Sequence, residues 1–212
     1  MFEIEYKGGN GVVIATKKTT AVIDPKLSLI GLKDLPVKDT VEIATEARFS
    51  SQNNEAKLAI EGPGEYEVGD FAVKGVRASR HIDPSDAEPI STMYRLEIGD
   101  VRIAVLGNVA PKLNEDQLEG LGVVDILIIP VGGNGYTLDA TSSVTLTRQI
   151  DPRVVIPIHY ADQGLQYEVP QDDLDVFIKE LAAPVEEQGS KYKVKSAASI
   201  PQVLTVVTVA RS

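Results

Sequence analysis

The sequence predicts an α+β fold in which sheets pack face to face under a cover of helices. Roughly ten or more short strand-like runs fill the chain, and the helical patterns come only after residue 113. Two late runs, residues 125–130 (DILIIP) and 153–158 (RVVIPI), are apolar throughout, as in strands covered on both faces.

The elements follow in order. Residues 2–6 alternate apolar and polar. Residues 12–15 and 20–23 flank Lys17-Lys18 and read as a hairpin, closed by Asp24-Pro25 because proline cannot donate to a ladder. Residues 40–44 and 58–60 are further short strands, and Gly62-Pro63-Gly64 is a turn. Residues 66–68 and 71–76 flank Gly69-Asp70, and residues 93–98 and 101–106 flank Gly99-Asp100, both suited to tight hairpins. Residues 114–121 read as a helix with Asn114 as N-cap, Glu115 and Asp116 in its first turn and Gly122 at its end. Residues 138–150 form a second helix, stopped by Asp151-Pro152 and capped by Asp139 or Thr137. Residues 172–182 carry Leu174, Phe177, Ile178 and Leu181 on one stripe. Strands over 191–194 and 203–209 close the chain, and 182–201 reads as the least structured stretch.

A chain of 212 residues is long enough for one sizeable core, and residues 1–212 read as a single domain. Lys+Arg number 21 against 31 Asp+Glu, a formal net charge of -10. Nucleic-acid and anionic-membrane surfaces need clustered cations, so neither partner is expected. Cysteine is absent, which excludes disulfides, thiolate metal sites and cysteine nucleophiles. No apolar run approaches a membrane span, and MFEIEYKGGN lacks the basic and apolar regions of a signal peptide. A cytoplasmic protein is the expectation. Any imidazole chemistry falls to His81 and His159.

AVIDP (21–25), GPGEYEVGDFAVKGV (62–76), LGN (106–108), LNEDQLEGLGVVDILIIPVGG (113–133), YTLDA (136–140) and PRVVIPIHY (152–160) stand in an order that resembles the metallo-β-lactamase fold superfamily, lactonase-like branch, related to L-ascorbate-6-phosphate lactonases. The resemblance implies a four-layer αβ/βα sandwich with its active site at one edge. It also implies zinc held by a His-x-His-x-Asp-His motif, a third His, a bridging Asp and a last His. Here Glu46 and Arg48 stand at the first two His positions, Ser50 at the Asp and Ser51 at the next His. Asn108 stands at the bridging Asp, and Gly9 at a His position near the first hairpin. His81 and His159 keep their positions, as vestigial metal ligands that the fold should bring together.

Catalytic zinc needs about three protein ligands and an open position, and a guanidinium cannot be neutralised. The expectation is therefore a protein of hydrolase fold without zinc, a binding or interaction scaffold for a small anion or a protein partner, and possible homo-oligomer. The alternative is a metal-dependent hydrolase of a small phosphorylated or lactone substrate with an atypical site, zinc or a hard cation lying among Glu46, His81 and His159. Gly132-Gly133-Asn134-Gly135 lacks the Lys-Ser/Thr of a phosphate loop. Gly133 still precedes a helix, where backbone N–H groups attract anions. Arg48 and Gly133 are thus the candidate anion-binding residues.

Overall fold

The alternation at the N-terminus becomes a two-faced strand. Phe2, Ile4 and Tyr6 are buried while Glu3, Glu5 and Lys7 lie outward in β1 (Phe2–Gly8). The structure is a computed structural model that describes residues 1–81 and 90–212. The early strands continue with β2 (Gly11–Ala15), β3 (Thr20–Ile23), β4 (Val41–Ile43) and β5 (Leu58–Ile60). Next come β6 (Gly64–Val68), β7 (Phe71–Ser79), β8 (Ile90–Ile98) and β9 (Val101–Val105). Helices then alternate with strands: α1 (Glu115–Leu121), β10 (Ile126–Pro130), α2 (Ala140–Ile150), β11 (Val154–Ile158) and α3 (Leu174–Leu181). The chain closes with β12 (Val185–Gln188), β13 (Tyr192–Val194) and β14 (Thr205–Val209).

The described strands form two sheets. The smaller has the order β13-β1-β2-β3-β4-β5, the larger β12-β14-β11-β10-β9-β8-β7-β6. Between them lies one apolar layer, with Ile4, Ile14, Ile23 and Ile43 from the smaller sheet against Phe71, Leu96, Ile128 and Ile156 from the larger. A second layer joins the larger sheet to the helices, with Leu127, Ile129 and Val155 under Leu121, Val144, Phe177 and Leu181. The outer face of β1 carries ion pairs instead, Lys191 with Glu3 and Glu5, and Lys7 with Glu5. This is the α+β architecture of the expected class. Among the described residues no helix is long and apolar enough to cross a membrane.

Local chemistry explains the boundaries. Gly69 and Gly99 open their two-residue turns at φ +60° and +62°, a conformation glycine adopts without a Cβ penalty. They leave Val68 paired with Phe71 and Ile98 with Val101. The Asn114 side chain accepts from the Gln117 amide at 2.8 Å, and Gln117 reaches back to Asn114, a reciprocal capping box. Helix α2 starts two residues later than the sequence suggests because Asp139, not Thr137, is its cap, accepting from the Ser142 amide at 2.7 Å.

One expectation needs correction. The stretch 182–201 holds β12, β13 and a 3-10 turn at Ala197–Ser199. Strand β12 (VEEQ) is almost wholly exposed and pairs parallel to β14 at the sheet edge, so no apolar alternation marked it.

Strand direction positions the site. Strands β3, β4 and β5 run parallel in one sheet, and β9, β10, β11 and β14 run parallel in the other. Asp24, Thr45-Glu46, Asn108, Gly132 and His159 all lie in the short segments just past the carboxyl ends of β3, β4, β9, β10 and β11.

Candidate functional site

Two of these residues sit in the left-handed region, Asp24 at φ +48° and His159 at φ +51°. Non-glycine residues hold that conformation at some cost, and functional sites concentrate it. The turn directs Asp24 inward, where its carboxylate accepts from the Thr45 amide at 2.7 Å and the Thr45 hydroxyl at 2.6 Å. Burial pushes the Asp24 carboxyl up to about 7, against the pull of the two Thr45 bonds. Thr45 in turn is held by the larger sheet, since its carbonyl accepts from the Thr92 amide at 2.8 Å. A Cβ at Gly107 would collide with Thr45, so glycine lets the segment after β9 approach.

Beside Thr45 lies an ion cluster. Glu46 is buried, and its Oε2 meets Arg48 Nε and Arg80 Nε, each at 3.0 Å. Its Oε1 accepts from Asn108 Nδ2 at 2.9 Å. Burial raises the Glu46 carboxyl above its ordinary 4.5, while the two guanidinium charges and the Asn108 bond oppose that rise. Arg48 also lies over the Phe49 ring, 4.6 Å from its centroid. The terminal amino groups of Arg48 have no partner among the described residues.

His159 enters from the other side. Its Nδ1 lies 2.8 Å from Asn10 Oδ1, and its ring stacks on Tyr167 at 4.8 Å between centroids. With an amide oxygen facing it, Nδ1 carries the ring proton. Burial, helped by the Arg48 charge, lowers His159 to about 4, so the imidazole is neutral near pH 7. Arg48, Asn108, Tyr136, His159, Tyr167 and Gln171 line a cavity of about 50 Å³ between these elements.

The other sequence candidates are distributed around this cluster. His81 donates its backbone N–H to the Asn108 carbonyl at 3.0 Å, so Asn108 touches His81 through its backbone and shares the cavity with His159. Burial lowers the His81 pKa, opposed by Asp139. Ser50 and Ser51 turn to two carboxylates: Ser50 Oγ donates to Glu61 Oε1 at 2.5 Å and lies 3.1 Å from Oε1 of the buried Glu42, and Ser51 Oγ donates to Glu42 Oε2 at 2.7 Å. The Gly133 reading needs correction. Its amide donates to the Leu138 carbonyl at 2.9 Å, and a Cβ there would lie 3.3 Å from Asp172 Oδ2, so an anion would find no free donor and a nearby carboxylate.

Sequence reasoning missed Asn10, Arg80, Tyr167 and Gln171. Arg80 had a signal in its adjacency to His81. Asn10 follows Gly9, the position the resemblance singled out, and its polar side chain was the clue there.

The donor set is a poor one for a divalent cation. Glu46 already accepts a hydrogen bond from Asn108 and forms ion pairs with two guanidinium groups, which repel a cation. Asn108 is neutral and spends its amide nitrogen on Glu46, and the Ser50 and Ser51 hydroxyls are spent on the Glu61 and Glu42 carboxylates. Among the described residues, the cavity wall also carries His159 and the Glu168 carboxylate, one imidazole and one carboxylate. Zinc prefers imidazole and carboxylate donors in a tetrahedral set.

Two facing sheets, with a site at the carboxyl ends of their parallel strands, define the metallo-β-lactamase class of sandwich. Residues 3–159 match the beta-lactamase superfamily domain family, and the chain belongs to it. The chain is similar to a UPF0173 protein of Pyrococcus abyssi, 32% identical over 105 residues, covering 50% of this chain and 46% of the relative. It is also similar to a UPF0173 metal-dependent hydrolase of Carboxydothermus hydrogenoformans, 26% identical over 117 residues, covering 53% of this chain and 51% of the relative. The chain spans about half the length of the curated relatives it matches. Among solved structures, a metallo-β-lactamase superfamily protein of Thermotoga maritima superposes with a TM-score of 0.73 at 20% identity, over 98% of this chain and 100% of that one. Igni18, a metallo hydrolase of Ignicoccus hospitalis, gives 0.61 at 15%, over 99% and 95%. These likenesses show the fold.

Proposed function

We propose that this chain uses the metallo-β-lactamase fold as a binding scaffold, without zinc at the strand-end site, and that Arg48 receives a small anion there. The observation that carries the reading is the Glu46–Arg48–Arg80 cluster, which puts fixed positive charge where a metal hydrolase concentrates imidazole and carboxylate. Glu46 occupies only Nε of Arg48, so the terminal edge of the guanidinium remains to engage phosphate or carboxylate. Neutral His159 supplies polarity without charge. Calorimetric titration with inorganic phosphate tests the reading. Saturable millimolar binding, weakened about tenfold or more in Arg48→Ala, is expected. No saturable binding, or equal binding by Arg48→Ala, refutes it.

The second reading is a metal-dependent hydrolase with an atypical site, favoured by the activity in the names of the UPF0173 relatives. It would draw ligands from Glu46, His81 and His159, and Glu46 would have to release both arginines. Elemental analysis of protein purified without chelator separates the two. One or two tightly held transition-metal ions per chain would favour the hydrolase, and none would favour the scaffold.

A further inference from the structure

The run Gly132-Gly133-Asn134-Gly135 places an asparagine directly before a glycine, and Asn10-Gly11 is the chain's other such pair. An Asn-Gly pair can react with itself. The glycine amide nitrogen loses its proton and attacks the asparagine Cγ. The N–Cγ bond forms, the Cγ–Nδ2 bond breaks, and Nδ2 takes up a proton and leaves as ammonia. Water then opens the cyclic imide at one of its two carbonyls, giving aspartate or isoaspartate. The reaction needs no oxidant and no catalyst. It needs an accessible side chain, an amide nitrogen not spent in a hydrogen bond, and a following residue without a Cβ to obstruct the approach.

The fold treats the two pairs differently. Asn10 is 5% exposed, and its Oδ1 is held 2.8 Å from His159 Nδ1. Gly11 opens β2 and pairs with Gly8 across the β1–β2 ladder. Cyclisation there would pull the Asn10 amide off His159 inside a packed interior, leaving a buried polar group unpaired. Asn134 is exposed, and its side chain makes no hydrogen bond among the described residues. It belongs to neither sheet and bridges Thr137, three residues on. The Gly135 N–H has no hydrogen-bond partner among the described residues.

The product alters the rim of the strand-end cavity. The turn is tied by the Gly133 N–H donating to the Leu138 carbonyl at 2.9 Å, and Tyr136 within it lines the cavity. Isoaspartate routes the main chain through Cβ and Cγ, which lengthens that turn by one carbon, and either product adds a carboxylate. We infer that Asn134 is a site of spontaneous modification, converting to aspartate and isoaspartate in the folded protein while Asn10 is spared, so that the cavity rim changes with the age of the molecule.

Incubation of the whole folded chain at mildly alkaline pH, followed by peptide mass mapping over time, tests it. The peptide carrying residue 134 should gain the mass that accompanies exchange of an amide NH2 for OH, as a mixture of aspartate and isoaspartate. It should do so at least about tenfold faster than the peptide carrying residue 10. In urea the two rates should converge, because only the fold distinguishes the pairs. In the isolated isoaspartyl form the Gly133 amide should exchange its hydrogen at least about tenfold faster than in fresh protein. Equal rates at the two pairs in the folded chain, or a faster reaction at Asn10, overturn the protection argument. An Asn134 that stays intact in the folded chain while the urea-unfolded chain reacts there overturns the site. Aspartate formed without isoaspartate is direct hydrolysis and overturns the cyclic route. Unchanged Gly133 exchange overturns the effect on the rim.

Discussion

Between pH 4 and pH 7 two buried groups pull stability in opposite directions. Asp24 is raised from its ordinary 3.8 to about 7. Its folded form keeps a proton that the unfolded chain releases, so its contribution is fully present below 3.8 and is lost as pH rises to about 7. His159 is lowered from 6.5 to about 4. Its contribution is present above 6.5 and is lost as pH falls through about 4. At 1.36 kcal/mol per pH unit, the spans are worth up to about 4 kcal/mol for Asp24 and about 3 kcal/mol for His159. These two contributions nearly cancel from pH 4 to 6.5. Substitution separates them. Relative to wild type, Asp24→Asn should gain up to about 3 kcal/mol as pH rises from 4 to 6.5, because the Asp24 slope alone is removed. Relative to wild type, His159→Asn, a residue that tolerates the positive φ, should lose up to about 3 kcal/mol as pH rises from 4 to 6.5, because the His159 slope alone is removed. Glu46, raised by burial, acts in the same direction as Asp24 and is present in every variant, so slope differences isolate the substituted group. Urea unfolding at fixed ionic strength across that range supplies the slopes. If Asp24→Asn keeps the wild-type slope, the Thr45 bonds hold Asp24 ionised in the folded state and the burial argument fails.

Other substitutions test the frame around the site. Phe177→Ala, in the layer between α3 and the larger sheet, should cost about 3–5 kcal/mol in urea unfolding, since Phe177 is 0% exposed. Arg153 donates to the carbonyls of Pro201, Ala197 and Ile200 at 2.9, 3.0 and 2.6 Å. Arg153→Lys cannot span that fork and should lose about 2 kcal/mol, with faster amide exchange over residues 197–201 as its local signature. Gly132→Ala would drive a Cβ into the His159 carbonyl and Gln171. It should lower stability by about 1–3 kcal/mol and weaken phosphate binding in the same preparation, as calorimetry would read.

Most of the fold was legible because its elements are locally consistent. Asn114 with Gln117 caps α1, Gly69 and Gly99 open tight turns, and the wholly apolar runs became the central parallel strands β10 and β11. Strand β12 was illegible because its residues face water, and only pairing with β14 makes it a strand. The site was legible as a set of positions and not as a set of partners. Arg48 could be placed at the strand end from its motif, two residues from Glu46, but the approach of Arg80 to Glu46 joins segments 34 residues apart in sequence. Asn10 meets His159 across 149 residues, a contact that only the face-to-face packing of the sheets creates. Gly133 misled for a local reason, since its amide is spent within the same turn on Leu138.

Tyr94 has a mechanical consequence. It belongs to β8 of the larger sheet and is fully buried, yet its hydroxyl donates to the Ala44 carbonyl at 3.0 Å and accepts from the Gly62 amide at 2.8 Å, both just beyond strands of the smaller sheet. Interdigitated apolar side chains already resist sliding of one layer over the other, and a directional hydrogen bond adds a fixed distance to that resistance. A directional bond on each side of one oxygen sets that register, and any slide stretches one bond or the other. The pin lies two residues from Glu46, so the half of the site carried by one sheet keeps its spacing from the half carried by the other. The strand-end cavity, walled by segments from both sheets, therefore keeps a fixed width for as long as the pin holds.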